Sequence, residues 1–260
     1  MSAHGAGREK LIKTAAALFW VAVWQLASMA LGSDLLLASP VAVAQSLVRM
    51  MGESAFWSAV AFSSARIVGG FALAVAVGCL AAVLAAASRV ARALIEPLTA
   101  VIQSTPVASF IILALLWISS RNLAVFIAFL MVFPVVYRNV LEGIVQVDGK
   151  LLQMARVFRV RPGKRMRCIY LPAVLPYFTS ACSVGLGLCW KSGIAAEVIG
   201  LPTGSIGERL YQAKIYLSTG ELFAWTVAII AVSVAFEKLF LYALRAAGRR
   251  IVTGGGARGH

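Results

Sequence analysis

The chain has 260 residues with 24 Lys+Arg against 10 Asp+Glu, a formal net charge of +14, yet it is 61% hydrophobic and only 13% charged, with a mean hydropathy of +0.88. Soluble domains average about 45–50% apolar and about 25% charged residues, so disorder, a disulfide scaffold and an ordinary soluble enzyme are all poor fits. The composition is that of an integral membrane protein, and the positive charge must be explained by where it falls.

A bilayer core of about 30 Å asks for about 20 mostly apolar helical residues. The first such stretch, Thr14 to Leu31, follows Arg8, Lys10 and Lys13. It exceeds the usual apolar core of a signal peptide, about 7–15 residues, and reads as a retained helix. From Gly32 to about Trp57 the chain is mixed, with an amphipathic piece at Val41–Met51, and reads as extramembrane or interfacial. A second span covers roughly Ile67 to Ala87, with Gly70, Ala74 and Gly78 on one face for close helix packing. The third, Leu98 to Ile118, contains the polar cluster Gln103-Ser104-Thr105-Pro106. The fourth runs from Leu123 to about Val140, the fifth from Pro172 to Ala195 and the sixth from Leu222 to Leu244.

The expected fold is therefore an all-α membrane protein of six transmembrane helices. Residues 1–13 form a cytoplasmic N-terminal segment, 14–250 a transmembrane domain with a cytoplasmic loop at 141–171, and 251–260 a flexible C-terminal tail. Cytoplasmic loops carry an excess of Lys and Arg. With both termini inside, only Arg49, Arg66, Arg121, Lys191, Arg209 and Lys214 fall outside, leaving 18 of the 24 basic residues on the inner side. That bias predicts an N-in, C-in topology.

Chemistry-bearing residues are few. Cys79, Cys168, Cys182 and Cys189 show no C-x-x-C spacing, and both histidines, His4 and His260, lie at the chain ends, so neither a metal site nor a His-based catalytic centre has the raw material. There is no G-x-x-x-x-G-K-[ST] phosphate loop. Polar groups inside spans tend to face a bundle interior or water. Gln103, Ser104, Thr105, Lys191 and Glu197 are on that ground candidate pathway residues, with Lys191 offering a cation to an anionic solute. The competing readings are hydroxyls bonded to their own helix, a snorkelling Lys191 and a loop position for Glu197.

The one long hydrophilic connection, Arg138 to Leu171, is too polar for lipid and too long for a turn. Leu151, Leu152, Ala155, Val157 and Phe158 give a short apolar face, and Lys150, Arg156, Arg159 and Arg161 a basic side. Pro162-Gly163 punctuates the chain. The pattern predicts a short surface helix, a turn and a second short helix, suited to anionic lipid or to a partner's groove.

Gln153-Met154-Ala155, Arg159 and Ile169-x-Leu171-Pro172 resemble, in order and spacing, the EAA loop of binding-protein-dependent ABC importer permeases, roughly E-A-A-x-x-x-G and then I-x-L-P. Ser39-Pro40-x-Ala42-Val43, Arg66-x-x-x-Gly70-Phe71, Glu96-Pro97-Leu98, Gly185-Leu186-Gly187-x-x-Trp190 and Ala195-Ala196-Glu197 extend the resemblance to the nitrate/sulfonate/taurine branch, over about Ser39 to Arg250. Two positions depart from the motif: Gln153 replaces its glutamate and Arg159 its glycine. The turn that glycine permits is expected to move to Pro162-Gly163.

The resemblance implies a MetI-like type I importer permease in the bacterial inner membrane, working as a homodimer over two ATP-binding subunits. An extracytoplasmic solute-binding protein would deliver a small anionic, sulfonate- or nitrate-like solute. It implies no cofactor in this chain, with ATP and Mg held by the partner ATPase, which docks on residues 148–171. Gln153, Ala155, Arg156, Arg159, Leu171 and Pro172 are the implied coupling residues. Membrane lipid and no nucleic acid completes the partner set. The alternatives are an ATP-independent secondary transporter, the substrate-capture subunit of a vitamin importer, and an intramembrane enzyme. The first wants ionisable pairs at mid-membrane, the second would lack the EAA-like loop, and the third has no catalytic set.

Overall fold

The computed structural model describes residues 3–33 and 35–253. Most of the expected tail, residues 254–260, lies outside them. The described residues form eleven α-helices and no strand: α1 (Ala3–Leu31), α2 (Pro40–Met51), α3 (Ser54–Ala87), α4 (Arg89–Ser104), α5 (Val107–Ala114), α6 (Ser120–Val145), α7 (Gly149–Val157), α8 (Pro162–Arg165), α9 (Leu171–Gly200), α10 (Ile206–Ile215) and α11 (Thr219–Thr253). A π-turn over Met166–Tyr170 joins α8 to α9. Five helices are long and apolar enough to cross a membrane, and six spans result if α4 and α5 together make one.

That pair corrects the third expected span. Leu98 to Ile118 is not one helix: α4 and α5 meet at a 103° bend. Proline clashes with helical backbone at the residue before it, and Thr105, ahead of Pro106, is extended at φ −85°, ψ 132°. Several boundaries also move outward. The second span starts at Ser54 rather than Ile67, and the sixth continues past Leu244. The fourth runs on to Val145, so Arg138 to Val145 is helical and the connection proper begins at Gln146. In each case moderately polar residues extend a helix whose apolar centre is already fixed by packing.

Helix α6 is the centre of the bundle, sandwiched between α3 and α9. Its Leu123, Ala124, Ile127, Ala128, Val132 and Val136 are fully excluded from solvent. The small-residue stripe of α3 does what its spacing predicts: Gly70, Ala74 and Gly78 are all buried. A Cβ on Gly70 would collide with the Val125 carbonyl oxygen, and one on Gly78 would sit 3.0 Å from Val136 Cβ. From α9, Gly185 faces Val132 and Gly193 faces Ile67 in the same manner. Where lipid tails are as apolar as the side chains, such close approach and its dispersion contacts hold helices together.

The matched neighbours set the directions. Gly70 meets Val125 and Gly78 meets Val136, so α3 and α6 run parallel; Gly143 meets Tyr177 and Gly200 meets Leu123, so α6 and α9 run antiparallel. α11 lies alongside α3, with Phe56 stacked on Trp225 at 4.9 Å and Phe71 edge-on to Phe240 at 5.3 Å. α1 presents Leu18, Phe19, Trp20, Leu26 and Met29 outward, a lipid-facing surface. The α7–α8 connection therefore sits at one end of the bundle, and α2 and α10 sit at the other.

Candidate functional site

The connection between α6 and α9 is short helix, turn, short helix. Asp148 starts α7, its carboxylate accepting from the Lys150 backbone N–H at 2.8 Å. The turn that ends α7 differs from expectation. Arg159 itself adopts the left-handed conformation, φ +50°. The Val160 N–H donates to the Ala155 carbonyl at 2.9 Å and the Arg159 N–H to the Arg156 carbonyl at 3.0 Å. This pair of bonds is a Schellman cap, whose left-handed residue is usually glycine. The turn thus stays where the EAA-type motif has its glycine, although this chain has arginine there. Pro162 instead opens α8, where its fixed φ suits a first helical turn, and Gly163 is a helical residue.

Within α7 the apolar residues divide. Ala155 is buried and Leu152 half-buried, whereas Leu151, Met154, Val157 and Phe158 are exposed. Gln153, Arg156 and Arg159 are exposed beside them. Leu171 is exposed and Pro172 half-buried where α9 begins. The expected five-residue face is therefore a seam with an outward apolar edge that also takes in Met154.

The candidate pathway residues do not converge on one point. Ser104 and Thr105 donate their hydroxyls to the Val101 carbonyl at 3.1 Å and 2.8 Å, the self-satisfying bonding open to such residues in helices. Gln103 beside them is exposed. Lys191 is exposed on α9 and lines a groove of about 330 Å³ against α11, with Leu186, Gly187, Trp190, Ile194, Ser233 and Glu237 among its walls. Neither Glu197 nor the Gln103 cluster reaches that groove.

Glu197 is wholly buried. Its Oε2 accepts from the Ser63 hydroxyl at 2.6 Å and from the Gly207 N–H at 3.3 Å, and Ser63 in turn accepts from the Ile206 N–H at 2.9 Å. The carboxylate so ties α3 and α9 to the first turn of α10. Gly207 is required there, since a Cβ would run into the Glu197 backbone. Sequence reading missed Ser63, one serine in an apolar helix with no pattern to mark it. The α10 start did carry a signal: Ser205 accepts from the Glu208 N–H at 3.0 Å, and S-x-x-E is the capping-box spelling. Glu208 departs from the usual box by accepting from Gly204 instead of Ser205.

Residues 74–253 match the family described as binding-protein-dependent transport system inner membrane component. The chain belongs to that family.

Three curated relatives are similar over most of their length. A "Probable ABC transporter permease protein" of Brucella melitensis biotype 1 is 28% identical over 83% of this chain and 86% of its own. The taurine transport system permease protein of Escherichia coli (strain K12) is 27% identical over 88% and 83%. The bicarbonate transport system permease protein of Synechococcus elongatus is 24% identical over 75% and 70%. As an inner membrane component the chain is a multi-pass subunit of an ABC transport system in the inner membrane, one that works with an ATPase and a substrate-binding protein. Its family consists of transport subunits rather than enzymes.

Proposed function

We propose that this inner membrane component is the importer permease for a small oxyanion, pairing with a second identical copy over two ATPase subunits. The observation that carries the reading is α7: Ala155 is buried, Leu151, Met154, Val157 and Phe158 are exposed, and Arg156 and Arg159 are exposed near its end. An exposed apolar helix edge with a basic flank suits helix-in-groove docking. The ATPase seats on residues 148–171 through Gln153, Arg156, Arg159, Leu171 and Pro172, with the buried Ala155 acting through the shape of α7 rather than by contact, and holds ATP and Mg itself. Closing of the ATPase pair favours one arrangement of the spans, so nucleotide binding becomes solute movement. The N-terminal segment, the loop and the C-terminus face the cytoplasm, in keeping with the inner bias of positive charge.

The substrate class is supported from two sides. Two relatives are named for taurine and bicarbonate transport, and both solutes carry an oxyanion. Lys191 supplies a cation on a spanning helix, a position where charge is costly unless it serves a pathway or a partner. Gln103, Ser104, Thr105 and Glu197 are retained as pathway candidates, with Glu197 acting through the packing of α9 on α3 and α10.

The test is reconstitution in proteoliposomes with the ATPase and the binding protein, followed by uptake of labelled oxyanions. ATP-dependent accumulation that requires all three components is expected. Uptake that proceeds without the ATPase would refute the reading.

A further inference from the structure

A groove of about 600 Å³ lies between α4 and α6, at the end of the bundle that carries α7. Arg92, Glu96, Tyr137, Arg138 and Glu142 bring its polar groups, and Pro97, Ala100, Leu141 and Val145 its apolar surface. Each carboxylate already has a partner. Glu96 accepts from the Arg92 Nε–H at 2.7 Å, and Glu142 from the Gln146 side-chain amide at 2.7 Å. The groups left over are donors. Arg92 still offers its two terminal nitrogens, and among the described residues no carboxylate lies within 4.0 Å of Arg138. Tyr137 is 1% exposed, and its hydroxyl has no hydrogen-bond partner. A buried hydroxyl left unpaired is costly, and an acceptor seated in this groove would pair it.

We propose that this groove binds the phosphate group of an anionic phospholipid from the inner leaflet. Phosphodiester oxygens only accept hydrogen bonds, which matches a lining whose spare groups only donate, and guanidinium suits phosphate in charge as well as in hydrogen-bond geometry. Position agrees with chemistry. Arg92, Arg138 and Glu142 are exposed, as residues meeting a headgroup must be, and basic pockets between spans on the cytoplasmic side are where anionic headgroups are held. Pro97, Ala100 and Leu141 give the glycerol and first chain carbons an apolar surface that a free phosphate ion would leave unused. The bound phosphate joins Arg92 of α4 to Arg138 of α6. Because α6 ends at Val145 and α7 begins at Gly149, occupancy ties α4 to α6 directly ahead of the α7–α8 connection. The site is separate from the solute pathway and does not depend on which solute is carried.

The experiment uses the full-length chain, delipidated in an uncharged detergent, with equilibrium binding and thermal midpoints read for three probes: dioctanoyl phosphatidylglycerol, dioctanoylglycerol and inorganic phosphate. The phospholipid should bind and raise the midpoint, and dioctanoylglycerol, which lacks the phosphate, should do neither. Arg138→Gln should weaken phospholipid binding by about tenfold or more, the loss expected for a charge-assisted contact. Tyr137→Phe should melt no lower than wild type without lipid, because the hydroxyl it removes has no partner, yet bind the phospholipid about threefold or more weakly. Arg89→Gln removes a neighbouring exposed cation of α4 that does not line the groove, and it should keep wild-type affinity. Equal losses in Arg89→Gln and Arg138→Gln would reduce the effect to diffuse charge attraction and overturn the proposal. Wild-type affinity in both Arg138→Gln and Tyr137→Phe would overturn it too, as would a wild-type chain that binds no phospholipid. Inorganic phosphate binding as tightly as the phospholipid, and lost in Arg138→Gln, would make this a site for the free ion and overturn the lipid assignment.

Discussion

The Ser63 hydroxyl donates to Glu197 Oε2 at 2.6 Å across 134 residues of sequence, and this contact fixes the end of the bundle opposite α7. Ser63 also receives the Ile206 N–H, and Glu197 the Gly207 N–H. Two side chains therefore satisfy backbone donors in the first turn of α10 that have no partner within the helix. Removing the carboxylate strands the Gly207 N–H and the Ser63 hydroxyl, at a cost of about 1–3 kcal/mol for each buried group left unsatisfied. Glu197→Ala should lower the thermal midpoint of the detergent-solubilised protein clearly, and Glu197→Gln, which keeps an acceptor oxygen, much less. Equal melting of Glu197→Ala and wild type would show that the node contributes nothing to stability.

Adjacent glycines on α3 separate packing from propensity. Gly69 has open space where a Cβ would go, whereas a Cβ on Gly70 would strike the Val125 carbonyl and Ala128. Gly70→Ala should destabilise by about 1–3 kcal/mol, the usual cost of overpacking. Gly69→Ala should match or exceed wild type, because alanine is the better helix former by about 1 kcal/mol. Paired thermal melts decide it, and equal destabilisation by the two would contradict the α3–α6 register.

What the sequence made legible follows from which forces act locally. Long apolar runs and the Gly70-Ala74-Gly78 stripe are read directly, because hydropathy and a four-residue spacing are local properties that the bundle merely uses. The loop motif is also local, and so the helix–turn–helix at 149–165 is visible. The break at Thr105-Pro106 is a local proline effect obscured by the apolar residues on both sides of it. The Ser63–Glu197–Gly207 node and the Lys191–Glu237 groove are different in kind. Each depends on which faces of distant helices meet, and no periodicity within one helix encodes that.

Arg159 carries the left-handed backbone that ends α7. A side chain in this conformation costs roughly 1–2 kcal/mol relative to the right-handed region. Arg159→Gly should relieve much of that strain, offset in part by the greater freedom glycine has in the unfolded chain. Amide exchange in peptides spanning 149–165 should slow or stay level in this variant. Arg159→Val, β-branched and poorly suited to positive φ, should make the same amides exchange faster. Unchanged exchange in Arg159→Val would mean that the cap does not hold the loop's shape. If Arg159→Gly also loses ATP-driven uptake while its loop stays protected, the guanidinium itself contacts the ATPase.

Residues of α7 divide into those that hold the helix and those that face out, so one helix provides both a folding variant and a docking variant. Ala155 is buried, and Ala155→Asp places an unpaired charge where solvent does not reach. Its expected effect is loss of loop protection in amide exchange, with uptake lost as a consequence. Met154 and Phe158 are 52% and 75% exposed, so Met154→Asp and Phe158→Asp should change the isolated protein's stability only within the small range usual for surface changes, about ±0.5 kcal/mol. The same two variants should fail to retain the ATPase subunit on co-purification, because a carboxylate on the apolar edge must be desolvated for the helix to seat. Intact co-purification and full uptake in Met154→Asp/Phe158→Asp would remove this edge from the ATPase interface and leave the basic flank, Arg156 and Arg159, to carry the docking alone.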